Sequence, residues 1–315
     1  MAKPFFNVTL QAANRVTELF DLVHPIALSY WNMKCSVIGT NELLPVSQKL
    51  YNERYNTAKV VHGVNFKKSF IDLSWDDFEN NLSWLLLNSL FSIYEGYLNN
   101  LKSDFSLSDN DIKNLQFPTE IDSSTGIPCS GYGKIIIDIN SRSNSNIMND
   151  CFYSKYKSSK NYPLAPIENL LKCYRYFKEL RNCYVHNNII ASQKLKDAYD
   201  NYITVKNSLG IKKELIIDVP VVNTEIKAYL YGVIGFSEII LRLLYHLDTE
   251  LLKTTQGENY FKDNINKKYK KKEMFSTDAD KCLKQINRFC TGLGFMQPEN
   301  PLQLKKYLID NNLHY

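Results

Sequence analysis

Glycine is scarce in this chain of 315 residues, which has 12 glycines against 21 tyrosines. Sandwiches and barrels of β-strands need glycine at many turns, so this composition favours helices joined by polar loops. Hydrophobic residues make up 44% of the chain and charged residues 23%, as in ordinary globular proteins, which argues against global disorder. We therefore expect an all-α helical bundle.

Paired cysteines, targeting segments and long hydrophobic runs are also missing. The seven cysteines are an odd number and contain no C-x-x-C pair, so they indicate neither a disulfide framework nor a cysteine-rich zinc site. The N-terminus lacks the uncharged core of a signal peptide, and no stretch of about 20 residues is free of strongly polar groups. We expect a cytoplasmic protein with no metal, no cofactor and no membrane contact.

The formal net charge of +5 is mild and is compatible with a polyanionic partner without establishing one. One basic run stands out near the C-terminus. It consists of Lys267, Lys268, Tyr269, Lys270, Lys271 and Lys272. Its lysines could bind an RNA backbone and its tyrosine could stack on a base. The alternative is a solvated loop, since charge runs are ordinarily surface features.

The apolar periodicity divides the chain into three parts: a helical extension over 1–70, a helical core over 71–255 and a C-terminal part over 256–315. In the extension, apolar positions predict a helix over about 7–31 that breaks or kinks at Pro25, and a short helix within 43–61. The C-terminal part should contain the basic loop and one helix over about 277–289.

The core begins with a clear helix signature. Ser74 is a suitable N-cap, and the aspartates that follow it suit the first turn of a helix. Apolar residues then recur at helical spacing to about Phe105, which predicts one long amphipathic helix.

Residues 106–165 interrupt this helical pattern with many serine, asparagine, aspartate, glycine and proline residues. We interpret them as an irregular insertion with room for short strands, and the run 134–139 looks β-like. A second possible strand covers 215–219. Asn223 or Thr224 is then predicted to cap the last core helix, which extends to about residue 253.

Pro166 suits the first position of another helix, which carries an arginine where its apolar stripe should continue. The stripe at 167, 170, 171, 174 and 177 leads by helical spacing to Arg181. A buried guanidinium is costly without a carboxylate, backbone carbonyls, a phosphate or a subunit interface around it. Glu95 on the long helix is the candidate carboxylate, and a solvent-facing acid is the equal alternative.

Asn182 and His186 follow on the same helix. His186 is five residues from Arg181, about 140° around an ideal helix, whereas Asn182 and His186 share a face. A two-fold dimer, or slight unwinding near Val185, would bring these groups onto one phosphate. A histidine can remove the ribose 2′-OH proton or protonate the leaving 5′-oxygen, and a guanidinium stabilises the charged transition state. The products would be 2′,3′-cyclic phosphate and 5′-hydroxyl ends.

The segment Glu-Leu-Arg-Asn-Cys-Tyr-Val-His-Asn-Asn at 179–188 resembles the signature of the HEPN superfamily: Arg, a polar residue that is often Asn, a few more residues, then His. Members of that family are small helical bundles that often dimerise through this helix. Many are metal-independent ribonucleases of phage defence, toxin–antitoxin pairs or RNA-guided immunity. The resemblance implies a homodimeric endoribonuclease with Arg181 and His186 as its catalytic pair and Asn182 in support. It also implies an antitoxin or an activating protein as a partner.

Other interpretations fit the same residues. Arg and His at this spacing are common by chance, and the pair could be a structural ion pair and a histidine capping a helix end. A domain of this fold could also be a non-catalytic interaction module, or a nucleotide-binding regulator that holds a small phosphate ligand in the arginine cleft.

Overall fold

In a computed structural model of the chain, the described residues are 3–43, 53, 65–163, 165–212, 214–269 and 274–313. The fold is all-α. In chain order the helices are α1 Asn7–Leu43, a π-helical turn Lys67–Asp72, α2 Trp75–Asp104, α3 Asp109–Asn114, α4 Gly131–Arg142, α5 Asn146–Met148, a π-helical turn Asn149–Tyr153, α6 Ser154–Lys157, α7 Ile167–His186, α8 Gln193–Ile203, a 3₁₀ turn Lys206–Ser208, α9 Leu230–Leu252, α10 Thr255–Lys268, α11 Ala279–Leu293 and α12 Pro301–Asp310.

Four long helices form the centre of the bundle. The apolar helix α9 packs against α1, α2 and α7, and α8 packs along the outer side of α7. Aromatic rings join them: Phe236 of α9 lies 4.4 Å from Phe177 of α7 and 5.2 Å from Phe91 of α2, measured between ring centroids. Such pairs contribute ~0.5–1.5 kcal/mol each beyond the burial of their area. The end of α7, which carries the motif, is therefore attached to a rigid core.

Helix α9 is long and apolar enough to cross a membrane by length and composition. Most of its hydrophobic stretch is buried inside the protein, where it contacts the other long helices. It is thus the core helix of the bundle.

The predicted long helix after Ser74 is confirmed as α2. The Ser74 hydroxyl accepts a hydrogen bond from the Asp77 amide at 3.0 Å, and Asp76 and Asp77 lie in the first turn. The cap satisfies an amide that has no partner within the helix, and the acids favour the positive end of the helix dipole.

The insertion holds short strands as expected, but not where the sequence suggested. Strands β1 Glu120–Ile121 and β2 Pro128–Ser130 form a two-stranded antiparallel sheet. The β-like run 134–139 is instead part of α4. Ile135 and Ile139, four residues apart, are both buried while Ile137 is 51% exposed, so the run follows helical and not strand periodicity.

The helix predicted over about 7–31 does not break at Pro25, because α1 continues through this residue and ends at Leu43. Pro25 is exposed, and so is Asp21, whose carbonyl would otherwise accept from the amide that proline lacks, so the lost backbone hydrogen bond faces solvent. The short helix expected within 43–61 falls on residues 44–61, which apart from 53 lie outside the described part of the chain.

The last core helix begins at Leu230 and not at Glu225, with Tyr229 instead of Asn223 or Thr224 at its N-cap. Residues 223–226 are held away from helical geometry by pairing with the chain that follows α7: the Ala191 amide donates to the Thr224 carbonyl and the Asn223 amide to the Ala191 carbonyl. The possible strand at 215–219 has no regular secondary structure and lies outside the sheet.

The C-terminal part contains more helix than the sequence indicated. The helix expected over about 277–289 is confirmed as α11, while α10 and α12 were not predicted. Lys267 and Lys268 of the predicted basic run belong to the last turn of α10.

Candidate functional site

The apolar stripe of α7 points into the core and ends at a charged residue. Leu170, Leu171, Tyr174 and Phe177 are buried, and Arg181 continues the stripe in a half-buried position. The Nε atom of Arg181 is fully buried and has no hydrogen-bond partner. A buried donor without an acceptor costs ~1–3 kcal/mol.

Two other half-buried arginines of the bundle show what Arg181 lacks. Arg175 pairs with Glu179 four residues later, and Arg242 pairs with Glu238 four residues earlier at 2.7 Å. The corresponding positions around Arg181 are apolar, with phenylalanine at 177 and valine at 185. Among the described residues, no carboxylate oxygen lies within 4.0 Å of its guanidinium. Arg181 therefore leaves a positive charge available to an anion from outside.

Asn182 lies between this guanidinium and a buried acid. Its Oδ1 accepts a hydrogen bond from the Arg181 Nη1 at 3.4 Å, and its Nδ2 donates to the Glu179 carboxylate at 3.3 Å. Glu179 is only 7% exposed and is also held by Arg175. Asn182 thus connects Arg181 to a fixed ion pair on the same helix.

Glu95 does not pair with Arg181, which corrects the sequence-based assignment. Its carboxylate lies 3.8 Å from the Lys178 ammonium, which also donates to Gln116. Burial lowers the pKa of Lys178, the Glu95 charge opposes this, and the nearby guanidiniums of Arg175 and Arg181 add to it. The register of α2 against α7 places Glu95 opposite 178, about one helical turn before the position predicted for it.

His186 is the last residue of α7 and is exposed. Within the part of the chain that the structure describes, its imidazole makes no hydrogen bond, and none joins it to Arg181 or Asn182. The structure of one chain therefore brings Arg181 and Asn182 together and leaves His186 free at the helix end.

The backbone after His186 is tightly turned. The amides of Asn187 and Ile189 both donate to the Cys183 carbonyl, at 3.0 and 3.1 Å. Asn188 and Ile189 have φ values of 51° and 66°, in the left-handed region that a β-branched residue such as isoleucine rarely adopts. This turn closes α7 and directs the chain to its pairing with residues 223–226, so the His186 backbone is held firmly.

An aromatic stack fixes the end of α7 on α2. The rings of Trp84 and Tyr184 lie 4.5 Å apart and nearly parallel, at 16°. Next to these residues in sequence, Leu85 is 64% exposed and Val185 is 48% exposed. Each of the two helices thus has an exposed apolar side chain next in sequence to its stacked ring.

The predicted basic run is only partly within the described chain. Lys267 and Lys268 end α10, and Lys268 donates to the Gly292 carbonyl. Tyr269 is stacked on Phe289 at 4.8 Å, so one face of its ring is already covered. The remaining lysines, Lys270, Lys271 and Lys272, lie outside the described residues.

Sequence reasoning missed Glu179 and Arg175. Their spacing of four residues on the motif helix, with Asn182 one turn further, was the available indication. Across the described residues, no group of three or more His, Cys, Asp or Glu side chains could hold a metal ion.

Comparison of the chain with protein-family models, curated proteins and solved structures gave no match. The functional argument therefore depends on the residues of the site itself.

Proposed function

We propose that this protein is a metal-independent endoribonuclease of the HEPN type that acts as a homodimer. The observation that carries the proposal is the half-buried guanidinium of Arg181, which has no carboxylate partner among the described residues. A phosphodiester supplies the negative charge that this guanidinium lacks, and its non-bridging oxygens are good acceptors for the accessible part of the guanidinium.

In this mechanism His186 takes the proton from a ribose 2′-OH, whose oxygen attacks the adjacent phosphorus. The bond from phosphorus to the 5′-oxygen breaks, and an imidazolium returns a proton to that oxygen. Arg181 binds the non-bridging oxygens and stabilises the added negative charge in the transition state. Asn182 holds the guanidinium in position, because its Oδ1 accepts a hydrogen bond from the Arg181 Nη1.

Helix geometry supports the dimer. Arg181 and His186 point about 140° apart on one helix, so one chain presents them to different sides. Two copies of α7 related by a two-fold axis would place the His186 of one chain beside the Arg181 of the other. The exposed Leu85 and Val185 are apolar side chains that such a contact would cover.

The resemblance of the motif to defence ribonucleases extends the proposal to a role as a phage-defence or toxin effector in the cytoplasm. An antitoxin or an activating protein would then control the cleavage. An enzyme that cuts RNA needs such control, because unrestrained cleavage would harm its own cell.

The test is cleavage of single-stranded RNA by the purified full chain in the presence of EDTA. Wild type should cut RNA, leave 2′,3′-cyclic phosphate ends detectable by mass spectrometry, and spare the same sequence made as DNA. Arg181→Ala and His186→Ala should each lose at least about a hundred-fold in rate.

Two matched variants control for general damage. His24→Ala removes an exposed histidine from α1, and Arg288→Ala removes an exposed arginine from α11; both should cleave like wild type. Circular dichroism and light scattering should show that all four variants are folded and keep the wild-type oligomeric state. A wild-type dimer that leaves RNA intact, or site variants as active as their controls, would refute the proposal.

A further inference from the structure

A cavity of about 500 Å³ lies on the side of the bundle where α1 meets α9. Its other walls are the loops 158–163 and 209–212 and the N-terminal segment before α1. The loop 209–212 is tied to α9, because Arg242 donates to the Gly210 carbonyl at 2.9 Å and the Lys212 amide donates to Glu238 at 3.1 Å. No residue of the α7 motif lines this cavity.

The charge of the cavity is strongly one-sided. Lys3, Lys160 and Lys212 come from three separate segments, and none of them forms an ion pair with a described residue. The single acid on the walls, Glu238, is already paired with Arg242. Another cavity, of about 390 Å³, lies between the insertion, α7 and α8 and differs, because its three basic side chains are matched by three acidic ones. The first cavity therefore favours an anionic ligand.

The floor of the cavity suits an aromatic ring. Tyr245 is half-buried there, and its ring has no aromatic partner among the described residues. Leu241, Leu10 and Ala13 add apolar surface beside it. Burial and the charge of Asp248 raise the pKa of Tyr245, so its phenol remains a hydrogen-bond donor at neutral pH.

We propose that this cavity binds a nucleoside polyphosphate, with the base against Tyr245 and Leu241 and the phosphates among Lys3, Lys160 and Lys212. The volume fits one nucleotide and falls within the range of small-ligand sites. Lys3 also lines an adjoining cavity of about 330 Å³ with Lys267 on its wall, which gives the phosphate chain room to extend. This site is separate from the Arg181 site and does not depend on RNA cleavage.

Calorimetric titration of the full chain with adenosine triphosphate tests the site. Wild type should bind it, and Lys160→Glu or Lys212→Glu should each weaken binding by at least about ten-fold, because each loses a charge-assisted contact with phosphate. Lys284→Glu reverses an exposed lysine of α11 away from the cavity and should bind like wild type. Tyr245→Leu should weaken binding of adenosine triphosphate but not of inorganic triphosphate.

The outcomes are separable. Absence of binding at millimolar nucleotide, or equal binding by wild type and both cavity variants, would overturn the proposal. If inorganic triphosphate bound as tightly as the nucleotide, the base would make no contribution to binding, and that part of the proposal would fail. A 2′-O-methyl RNA strand serves as a competitor for the nucleotide. If it displaces the nucleotide, and if Lys160→Glu weakens binding of the strand, the cavity would be assigned to RNA instead. Circular dichroism of each variant confirms that a loss of binding does not come from unfolding.

Discussion

We expect the wild-type protein to be less stable with Arg181 than with an apolar residue at this position, although Arg181 is required for the proposed function. Replacing it by methionine keeps most of its volume and removes the charge together with the buried Nε that has no acceptor. Arg175 on the same helix is the matched comparison, since it is also half-buried but pairs with Glu179 and lies over the Phe117 ring at 4.3 Å. The same substitution at these two positions should change the free energy of unfolding in opposite directions.

The magnitudes follow from what each guanidinium contacts. Arg181→Met removes a buried unsatisfied donor, a gain of ~1–3 kcal/mol, and loses the 3.4 Å bond to Asn182, a loss of roughly 0.5–1.5 kcal/mol. The net expectation is an increase of about 1 kcal/mol. Arg175→Met leaves the Glu179 carboxylate without its cation and removes the contact with the Phe117 ring, which together should cost about 3 kcal/mol.

Urea unfolding followed by circular dichroism measures both changes, and RNA cleavage is measured on the same samples. We expect Arg181→Met to be more stable than wild type and inactive. If Arg181→Met lost as much stability as Arg175→Met, the guanidinium would have a structural partner and the reasoning from its unpaired state would fail.

Two further results are expected. The Arg181→Ala and His186→Ala proteins, each inactive alone, should recover about a quarter of wild-type activity when they are mixed and allowed to exchange subunits. Half of the dimers then contain one chain of each kind, and each such dimer keeps one of its two sites intact. No recovery would mean that both groups act from one chain. Asp248 accepts the amides of Phe5 and Phe6, and burial raises its pKa to about 7. From about pH 4 to about pH 7 the folded chain therefore holds a proton that the unfolded chain releases, so stability of up to about 4 kcal/mol, fully present below pH 4, is lost progressively as the pH rises from 4 to 7. Urea unfolding at several pH values measures the free energy of unfolding of wild type and of Asp248→Asn. The wild-type value should fall relative to that of the variant as the pH rises, and a difference that is the same at every pH would contradict the raised pKa of Asp248.

The sequence predicted best where structure is decided locally. Helix α2 was predicted to within a residue or two because a serine cap, two aspartates and a helical stripe all agree. The run 134–139 was assigned wrongly because a stretch of isoleucines satisfies both strand and helix patterns. Only the contact of Ile135 and Ile139 with the core decides between them.

Distant contacts explain most of the remaining differences. Helix α9 begins five residues late because the segment before it pairs with residues 189–191, which are far away in sequence. Glu95 faces Lys178 because the register between α2 and α7 depends on how whole helices pack, including the stack of Trp84 on Tyr184. The sequence pattern of either helix alone does not predict that register.

The candidate site shows the same division. That Arg181 interrupts an apolar stripe was visible in the sequence, and the structure places it there. What the sequence did not show is how the guanidinium is held: Arg175, Glu179 and Asn182 follow each other at spacings of four and three residues and form one polar row that ends at Arg181. An acid at position 185 would have neutralised Arg181 as Glu179 neutralises Arg175, but that position is an exposed valine. The row therefore orients a charge without neutralising it, which is the arrangement that an external phosphate requires.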